Sequence, residues 1–306
     1  MITNPNVKIN LGLNILRKRE DGFHDLETLF VPYHGIHDTL EIIAGDDFSR
    51  TSASLFSRYG DNSIPVSQGS LKPEGVFGVE TEDSSAPKIV QAISEDGKLM
   101  ITIARAQGVD WDPMKDLCAK AYMMLASDFE LPPVKIFLEK TSPVGAGLGG
   151  GSADAAFTLK MLDEICSLGL TESELAAYAA RLGSDCAFFI YNRPMIGEGR
   201  GEILSDFNPE ELKDYELQVL VPEGISVSTA EAYAGIVPQI PEVSLRDALH
   251  RPVDEWDGVL VNDFETTVFE KHPELAAIKR SLYDSGAMYA SLSGSGSALF
   301  ALYKGC

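Results

Sequence analysis

The chain has 306 residues and carries 25 basic against 46 acidic side chains, which gives a formal net charge of −21. Its hydrophobic content of 44% suffices for the core of one large domain or of two ordinary ones. Nucleic acids and anionic membranes are bound mainly through clustered lysine and arginine, so this acidity excludes both as expected partners.

The cysteines and the N-terminus indicate a cytoplasmic protein. The opening MITNPNVKIN lacks an apolar signal core, and no stretch approaches the roughly 18 apolar residues of a membrane span. The cysteines form no C-x-x-C pair, so we expect reduced thiols without a metal site or a disulfide framework. They are Cys118, Cys166, Cys186 and Cys306.

Strand patterns dominate the first third of the sequence. Apolar side chains that alternate with polar ones predict strands at 6–16, 26–33, 38–44 and 98–104. Residues 45–97 shift to Ser, Gly, Asp, Pro and Glu, which predicts strands joined by long loops, or an insertion.

Helical patterns begin after residue 110. Apolar residues at helical spacing predict a helix at 112–129, and a strand follows at 133–140. A second helix is predicted to start near Ser152. A third carries a capping box at 171–174 and ends on Gly183.

The pattern restarts after residue 191, which we take as the end of an N-terminal domain, 1–191, and the start of a C-terminal domain, 192–306. Strand pairs surround helices without regular βαβ alternation, which indicates an α+β fold. The predicted elements of the second part are strands at 216–222, 287–293 and 297–303, a helix at 226–236 and one long helix at 265–286.

One stretch, SPVGAGLGGGSADAA, combines five glycines in seven positions with the start of a predicted helix. Such a cluster is typical of a flexible linker or of a loop that a ligand approaches closely. A linker is disfavoured, because an amphipathic helix follows at once. No Lys-Ser or Lys-Thr follows the glycines, so the stretch is not a Walker A motif.

A dinucleotide-binding fold remains an alternative. Gly145, Gly147 and Gly150 spell a literal G-x-G-x-x-G, and Asp163 stands about 20 residues further on. However, Asp163 falls inside the predicted helix, whereas that motif requires its acid at the end of the next strand. An oxidoreductase is therefore disfavoured.

The favoured interpretation is a phosphate-binding loop. Glycines let backbone N–H groups approach an anion, and the helix that begins near Ser152 adds its positive dipole end. The Ser152 hydroxyl is also a candidate ligand of a magnesium ion. The candidate nucleotide-binding residues are Pro143, Val144, Gly145, Ala146, Gly147, Leu148, Gly149, Gly150, Gly151, Ser152 and Ala153.

The motif PVGAGLGGGSADAA resembles the nucleotide-binding motif of the GHMP kinase superfamily. The stretches NVKINLGLNILRKREDGFHDLETLF, RLGSDCAFF, GEGRGEIL and ASLSGSGSALFALY are similar to further motifs of that superfamily, in the same order. The resemblance runs from Asn4 to about Tyr303 and leaves out mainly 45–97. It implies an α+β, two-domain GHMP kinase fold with the active site in the cleft between the domains.

The resemblance also implies an activity. GHMP kinases transfer the γ-phosphoryl group of ATP to a small-molecule hydroxyl, so ATP and Mg²⁺ are the implied cofactors. The N-terminal pattern is similar to the branch that phosphorylates the 2-hydroxyl of a cytidyl diphosphate sugar alcohol in isoprenoid synthesis. Alternatives are a homoserine or mevalonate type of GHMP kinase, and a non-catalytic nucleotide sensor on this fold. We expect a monomer or a homodimer.

By resemblance, Asp185 is the candidate base and Lys8 is its partner, which lowers the pKa of the acceptor hydroxyl. Taken alone, Lys8 is typical of a solvated strand and Asp185 of a turn, but their joint appearance in two matching motifs favours catalysis. Asn10 lies two residues from Lys8 in the predicted strand and therefore on the same face. We expect it at the same site.

Further residues are implied to bind the two substrates. Phe23 is expected to stack on the cytosine and His24 to hydrogen-bond it, although the family's tyrosine is a phenylalanine here. Tyr233 corresponds to a second aromatic on the cytosine. Lys140 is a candidate for the nucleotide, and Asp116 replaces an asparagine that the family has near the adenosine. Gly294 and Ser295 in GSGS are expected to approach the phosphates or the substrate tail.

Overall fold

The computed structural model describes residues 1–45, 76–78 and 88–305. The chain divides into two compact units, each assembled from separate segments. Unit 1 comprises Met1–Asn6, Gly35–Ser142 and Gly151–Ile190, and unit 2 comprises Val7–His34, Pro143–Gly150 and Tyr191–Cys306. The assignment of domains to 1–191 and 192–306 stays a prediction.

Unit 1 is built on a six-stranded sheet with the order β1-β4-β8-β7-β6-β5. Neighbouring strands are antiparallel, except for the parallel pair β7–β8. Every residue of β7 and β8 is buried, so both faces of the sheet are covered at its centre. The strands are β1 (Ile2–Thr3), β4 (Thr39–Ala44), β5 (Val76–Gly78), β6 (Ile89–Ile93), β7 (Leu99–Ala104) and β8 (Val134–Glu139).

Two helices of unit 1 begin at residues whose side chains cap them. The Thr171 side chain accepts from the Glu174 amide and the Glu174 side chain accepts from the Thr171 amide, which confirms the capping box. Asp116 caps the first helix in the same way, through the Cys118 amide at 2.9 Å. The helices are α1 (Leu117–Asp128), α2 (Gly150–Cys166), α3 (Glu172–Leu182) and α4 (Cys186–Tyr191).

Unit 2 contains a four-stranded sheet, β10-β9-β3-β2, and a three-stranded sheet, β11-β13-β12. Residues 6–15 of β2, the last strand in the order of the four-stranded sheet, are all buried. The strands are β2 (Asn6–Lys18), β3 (His24–His37), β9 (Met195–Gly199), β10 (Ile203–Asp206), β11 (Tyr215–Leu220), β12 (Tyr289–Leu292) and β13 (Leu299–Lys304). The helices are α5 (Thr229–Tyr233), α6 (Leu245–Leu249), α7 (Phe264–Lys271) and α8 (Pro273–Asp284).

The prediction of one long helix at 265–286 is wrong. Two helices, α7 and α8, meet there, and His272 between them has φ −125° and ψ 69°, outside the helical region. Proline has no N–H to donate and its ring disfavours a helical conformation in the preceding residue, so Pro273 ends one helix and begins the next.

Most other predicted strands and helices are confirmed within a few residues, and α2 begins at Gly150, two residues before the predicted start. Within 45–97, predicted as strands joined by long loops or as an insertion, two short strands are described, and residues 46–75 and 79–87 lie outside the described part. Cys118, Cys166 and Cys186 are free thiols, while Cys306 lies outside the described residues. Among the described residues, none of the helices has the length and apolar character needed to cross a membrane.

Candidate active site

The glycine-rich segment Pro143–Gly150, called the phosphate loop below, has a special backbone. Gly145, Gly147 and Gly149 have φ values of 74°, 77° and 71°, in the left-handed region that side chains disfavour. They alternate with Ala146 and Leu148, which are buried. Anion-binding nests use successive backbone N–H groups with residues in the left-handed region, so these glycines are compatible with the predicted phosphate-binding loop.

A second glycine segment, Ser293–Ser297, packs directly on the phosphate loop and is called the second glycine loop. A Cβ atom built on Gly147 lies only 2.1 Å from the Ser293 carbonyl oxygen, so only glycine fits at position 147. The Ser293 hydroxyl donates to the Gly147 carbonyl at 3.1 Å, and the Ala298 amide donates to the Ala146 carbonyl at 3.1 Å. The two loops are therefore closely packed and hydrogen-bonded to each other within unit 2.

Lys8 is attached to the phosphate loop although it is a lysine with only 3% of its surface exposed. Its ammonium donates to the Gly147 carbonyl at 2.9 Å and to the Asn10 side-chain oxygen. Its backbone amide donates to the Leu148 carbonyl at 3.0 Å. The structure thus brings together a buried cation and the middle of the phosphate loop.

Asn10 shares the face of β2 that carries Lys8, as the period of two predicts. The Asn10 amide nitrogen donates to the Thr28 hydroxyl at 3.1 Å, and that hydroxyl in turn donates to the Gly12 carbonyl. Because its amide is held by Thr28, the oxygen of Asn10 faces the Lys8 ammonium. Thr28 was not predicted as part of this site, because it lies on the neighbouring strand β3, 18 residues from Asn10 in the sequence.

The candidate cytosine-binding side chains also lie in unit 2. The ring of His24 stacks on Tyr233 with centroids 4.8 Å apart and 22° between the planes, and Phe264 meets Tyr233 edge-on. Phe23 is 54% exposed, and the Arg200 guanidinium lies 5.0 Å from the centre of its ring. Burial, followed by the charge of Lys18, lowers the pKa of His24, so at neutral pH its ring offers one donor and one acceptor.

Lys140 lies in unit 1, at the centre of a buried group with Asp38, Ser142 and Asp154, called the Lys140 cluster. Its ammonium donates to Asp38 at 2.5 Å, to Asp154 at 2.7 Å and to the Ser142 hydroxyl at 3.1 Å. These bonds use all three donors of a lysine ammonium. A contact between Lys140 and the nucleotide stays a prediction, and it requires one of these bonds to break.

The two carboxylates of the Lys140 cluster are not equivalent. Asp38 also accepts from the Thr141 and Ser142 amides, both at 2.7 Å, and from the Ser142 hydroxyl. Burial opposes its ionisation, but Lys140 and these donors outweigh burial and hold the pKa of Asp38 below its ordinary value. Burial raises the pKa of Asp154, one of whose oxygens accepts no hydrogen bond. Of the two carboxyl groups, Asp38 is therefore the one that ionises more readily.

Three further candidates lie in unit 1. Asp116 accepts from the Trp111 ring nitrogen at 3.1 Å, besides capping α1, so both of its oxygens have donors. Ser152 lies half-buried in the first turn of α2 and hydrogen-bonds Cys186, whose pKa burial raises to about 12. Asp185 is half-buried just before α4 and accepts from the Ser184 hydroxyl at 3.3 Å. The pairing of Asp185 with Lys8 stays a prediction.

Comparison with known proteins places these residues in a family. Residues 116–193 match the GHMP kinases N terminal domain, and residues 246–305 match the GHMP kinases C terminal domain. A 4-diphosphocytidyl-2-C-methyl-D-erythritol kinase from Bacteroides thetaiotaomicron is 43% identical over 304 residues, which cover 99% of this chain and 92% of the relative. The chain belongs to the GHMP kinase family.

Solved structures agree with this placement. The crystal structure of a 4-(cytidine 5'-diphospho)-2C-methyl-D-erythritol kinase is similar to this GHMP kinase with a TM-score of 0.68 and 26% identity, over 100% of this chain and 91% of the other. A homoserine kinase from Cytophaga hutchinsonii shares the fold at a TM-score of 0.58 and 15% identity, over 98% and 86% of the two chains. The protein is thus a small-molecule kinase that acts on an alcohol.

The Lys140 cluster of this GHMP kinase supports a stability prediction. Replacing Lys140 by methionine leaves two buried carboxyl groups without their cation, and breaking a buried ion pair from one side costs about 3–5 kcal/mol. We expect Lys140→Met to lower the free energy of unfolding by about that amount at neutral pH, measured by urea denaturation. As a control, Lys120→Met removes an exposed lysine of α1 and should change the free energy of unfolding by less than about 0.5 kcal/mol.

The pH dependence gives this prediction a direction. The pKa of Asp38 is lowered by folding, so its ionised form stabilises the wild-type protein above the ordinary value of 3.8, and this contribution is lost as the pH falls through the lower pKa of the folded state. The difference in the free energy of unfolding between wild type and Lys140→Met should therefore become smaller as the pH is lowered. A gap that is constant or widens would contradict the ion pairing of Asp38 with Lys140.

Proposed function

We propose that this GHMP kinase transfers the γ-phosphoryl group of ATP to the 2-hydroxyl of 4-diphosphocytidyl-2-C-methyl-D-erythritol, in the non-mevalonate route to isoprenoids. The observation that carries the phosphoryl transfer is the buried Lys8 ammonium, bonded to the Gly147 carbonyl in the middle of the phosphate loop. The choice of acceptor is supported by the similarity to kinases named for that substrate. Cytoplasmic location and the oligomeric state stay predictions.

In this proposal the phosphate loop and the start of α2 bind the ATP phosphates through backbone N–H groups. Asp185 accepts the proton of the 2-hydroxyl, whose oxygen then forms a bond to the γ-phosphorus while the bond to the β-phosphate oxygen breaks and ADP leaves. Lys8 holds Asp185 ionised and stabilises the charge that develops on the transferred group.

Magnesium is the expected companion of ATP. Protein magnesium sites often use one or two side chains plus substrate phosphates and water. No group of three or more acidic, histidine or cysteine side chains that would hold a metal alone occurs among residues that the structure describes. The half-buried Ser152 hydroxyl at the start of α2 fits the role of a single protein ligand. A Mg²⁺ ion held by Ser152 and ATP would neutralise part of the negative charge of the phosphates.

The cytidine end of the acceptor is assigned to Phe23, His24 and Tyr233. A neutral His24 ring matches the cytosine edge, which offers an amino donor beside ring and carbonyl acceptors. Phe23 and Tyr233 supply faces for stacking.

The direct test is a coupled assay for ADP with purified protein, ATP and Mg²⁺. We expect turnover with 4-diphosphocytidyl-2-C-methyl-D-erythritol and background rates with homoserine and mevalonate. Turnover with one of the latter alone would move the protein to another branch of the family. ADP or ATP binding without turnover of any of the three would favour the nucleotide sensor, an alternative that the presence of both Lys8 and Asp185 disfavours.

A further inference from the structure

The segment Val261–Asp263 is fastened to the strand that carries Lys8. The Leu13 amide donates to the Val261 carbonyl at 2.8 Å, and the Asp263 amide donates to the Leu13 carbonyl at 2.9 Å. The Asp263 carboxylate accepts from the Ile15 amide at 2.6 Å. The segment therefore has a fixed position beside β2, within unit 2.

Asn262 at the centre of this segment is 2% exposed. Its amide nitrogen donates to the Leu292 carbonyl at 2.8 Å and to the Gly294 carbonyl at 2.9 Å, while its oxygen accepts from the Phe264 amide at 3.0 Å. Both N–H donors of the amide are thus used. They hold the chain where β12 ends and the second glycine loop begins.

The residues held by Asn262 are those that pack on the phosphate loop. A Cβ atom built on Gly294 lies 3.0 Å from the Gly147 carbonyl oxygen and 3.1 Å from the Asn10 side-chain oxygen. Ser293, which lies between Leu292 and Gly294, donates to the same Gly147 carbonyl that accepts from Lys8. A displacement of the second glycine loop would therefore be transmitted directly to Gly147.

Glycine-rich loops have few side chains to hold them, so their shape depends on donors supplied from elsewhere. Asn262 supplies two such donors from a segment anchored on β2. Lys8 and Asn10 extend from the same strand. The phosphate loop is therefore linked to β2 directly through Lys8 and indirectly through Asn262 and the second glycine loop.

We propose that Asn262 is a positioning residue for nucleotide binding, which acts through Gly294 and Ser293 to keep the phosphate loop in its anion-binding shape. This inference rests on the proposed function in one respect, namely that the phosphate loop binds the phosphates of ATP.

The test uses the full-length protein and measures ADP binding by isothermal titration calorimetry. Asn262→Leu keeps the size of the side chain but removes both donors, and we expect ADP to bind roughly 10- to 50-fold more weakly. Tyr289→Phe is the matched control. Tyr289 lies on β12, and the change removes its buried hydrogen bond to the Leu260 carbonyl, which is 2.8 Å long. The ADP affinity of this variant should stay within about twofold of the wild-type value.

Asn262→Asp supplies a readout that a merely structural role would not move. An ionised carboxylate offers no donor to the two carbonyls, whereas the protonated form donates one hydrogen bond. Position 262 is 2% exposed and faces carbonyl oxygens, and both conditions raise the pKa of a carboxyl group introduced there. The deficit in ADP affinity, relative to wild type at each pH, should therefore shrink from about pH 8 to about pH 5 for Asn262→Asp and stay constant for Asn262→Leu.

Three results would overturn the proposal. They are wild-type ADP affinity in a folded Asn262→Leu protein, an equal loss in Tyr289→Phe, and an identical pH dependence of the deficit in both Asn262 variants. ADP binding is measured without the sugar alcohol, so a wild-type enzyme that binds ADP but fails to phosphorylate the proposed acceptor would refute the proposed function and leave this test intact.

Discussion

Gly147→Ala is expected to weaken ATP binding by roughly 100-fold or more, because the new methyl group would meet backbone that cannot yield. The added Cβ would lie 2.1 Å from the Ser293 carbonyl oxygen and 3.0 Å from the Gly296 nitrogen. Position 147 also has a φ of 77°, which strains any residue with a side chain. The two loops must separate to admit the alanine, and the N–H groups that are proposed to bind the phosphates move with them.

Gly145→Ala is the matched comparison within the same loop. Gly145 has a similar φ of 74°, but a Cβ built on it meets no atom within 4 Å. Both variants therefore carry the same backbone strain, and only Gly147→Ala adds the clash. We expect Gly145→Ala to lose less than about 10-fold in ATP affinity. Equal losses in the two variants, measured by calorimetry on folded proteins, would refute the close packing of the loops.

Lys8→Met is expected to reduce kcat by roughly 1,000-fold or more. The change removes a buried positive charge from the phosphate loop and leaves the Gly147 carbonyl without its lysine donor. Cations that stabilise the transferred phosphoryl group contribute on the order of 10³-fold or more in related chemistry. Lys213→Met removes a lysine from an exposed ion pair with Glu210 and should leave kcat unchanged.

A comparison with Asp185→Asn tests the proposed pairing of Lys8 with Asp185. Removal of a general base lowers kcat by roughly 10²- to 10⁴-fold, and ADP affinity should change little. If Lys8 and Asp185 act as a unit, the double variant should be no slower than the slower single variant, because each change already disables the other group. Multiplication of the two losses in the double variant would show that the residues act independently.

Local chemistry explains which features could be predicted from the sequence. The capping box at Thr171, the strand period that places Lys8 and Asn10 on one face, and the clustered glycines all depend on near neighbours in the chain. The break before Pro273 was also encoded locally, but the continuous helical spacing on both sides obscured it.

Contacts between distant residues could not be predicted in this way. Asp38 and Lys140 are 102 residues apart and meet because β4 pairs with β8 in a register that matches Thr39 with Glu139. Asn262 likewise lies 30 residues from the Leu292 carbonyl that it holds. Neither position carries a spacing signal, because strand register and loop packing are decided only when the whole chain has folded.

The carbonyl of Gly147 accepts from both the Lys8 ammonium and the Ser293 hydroxyl. A carbonyl oxygen has two lone pairs, so rotation of this peptide group would break two hydrogen bonds at once. If this loop binds the nucleotide as proposed, the entropy of ordering the loop has already been lost during folding and does not weaken association.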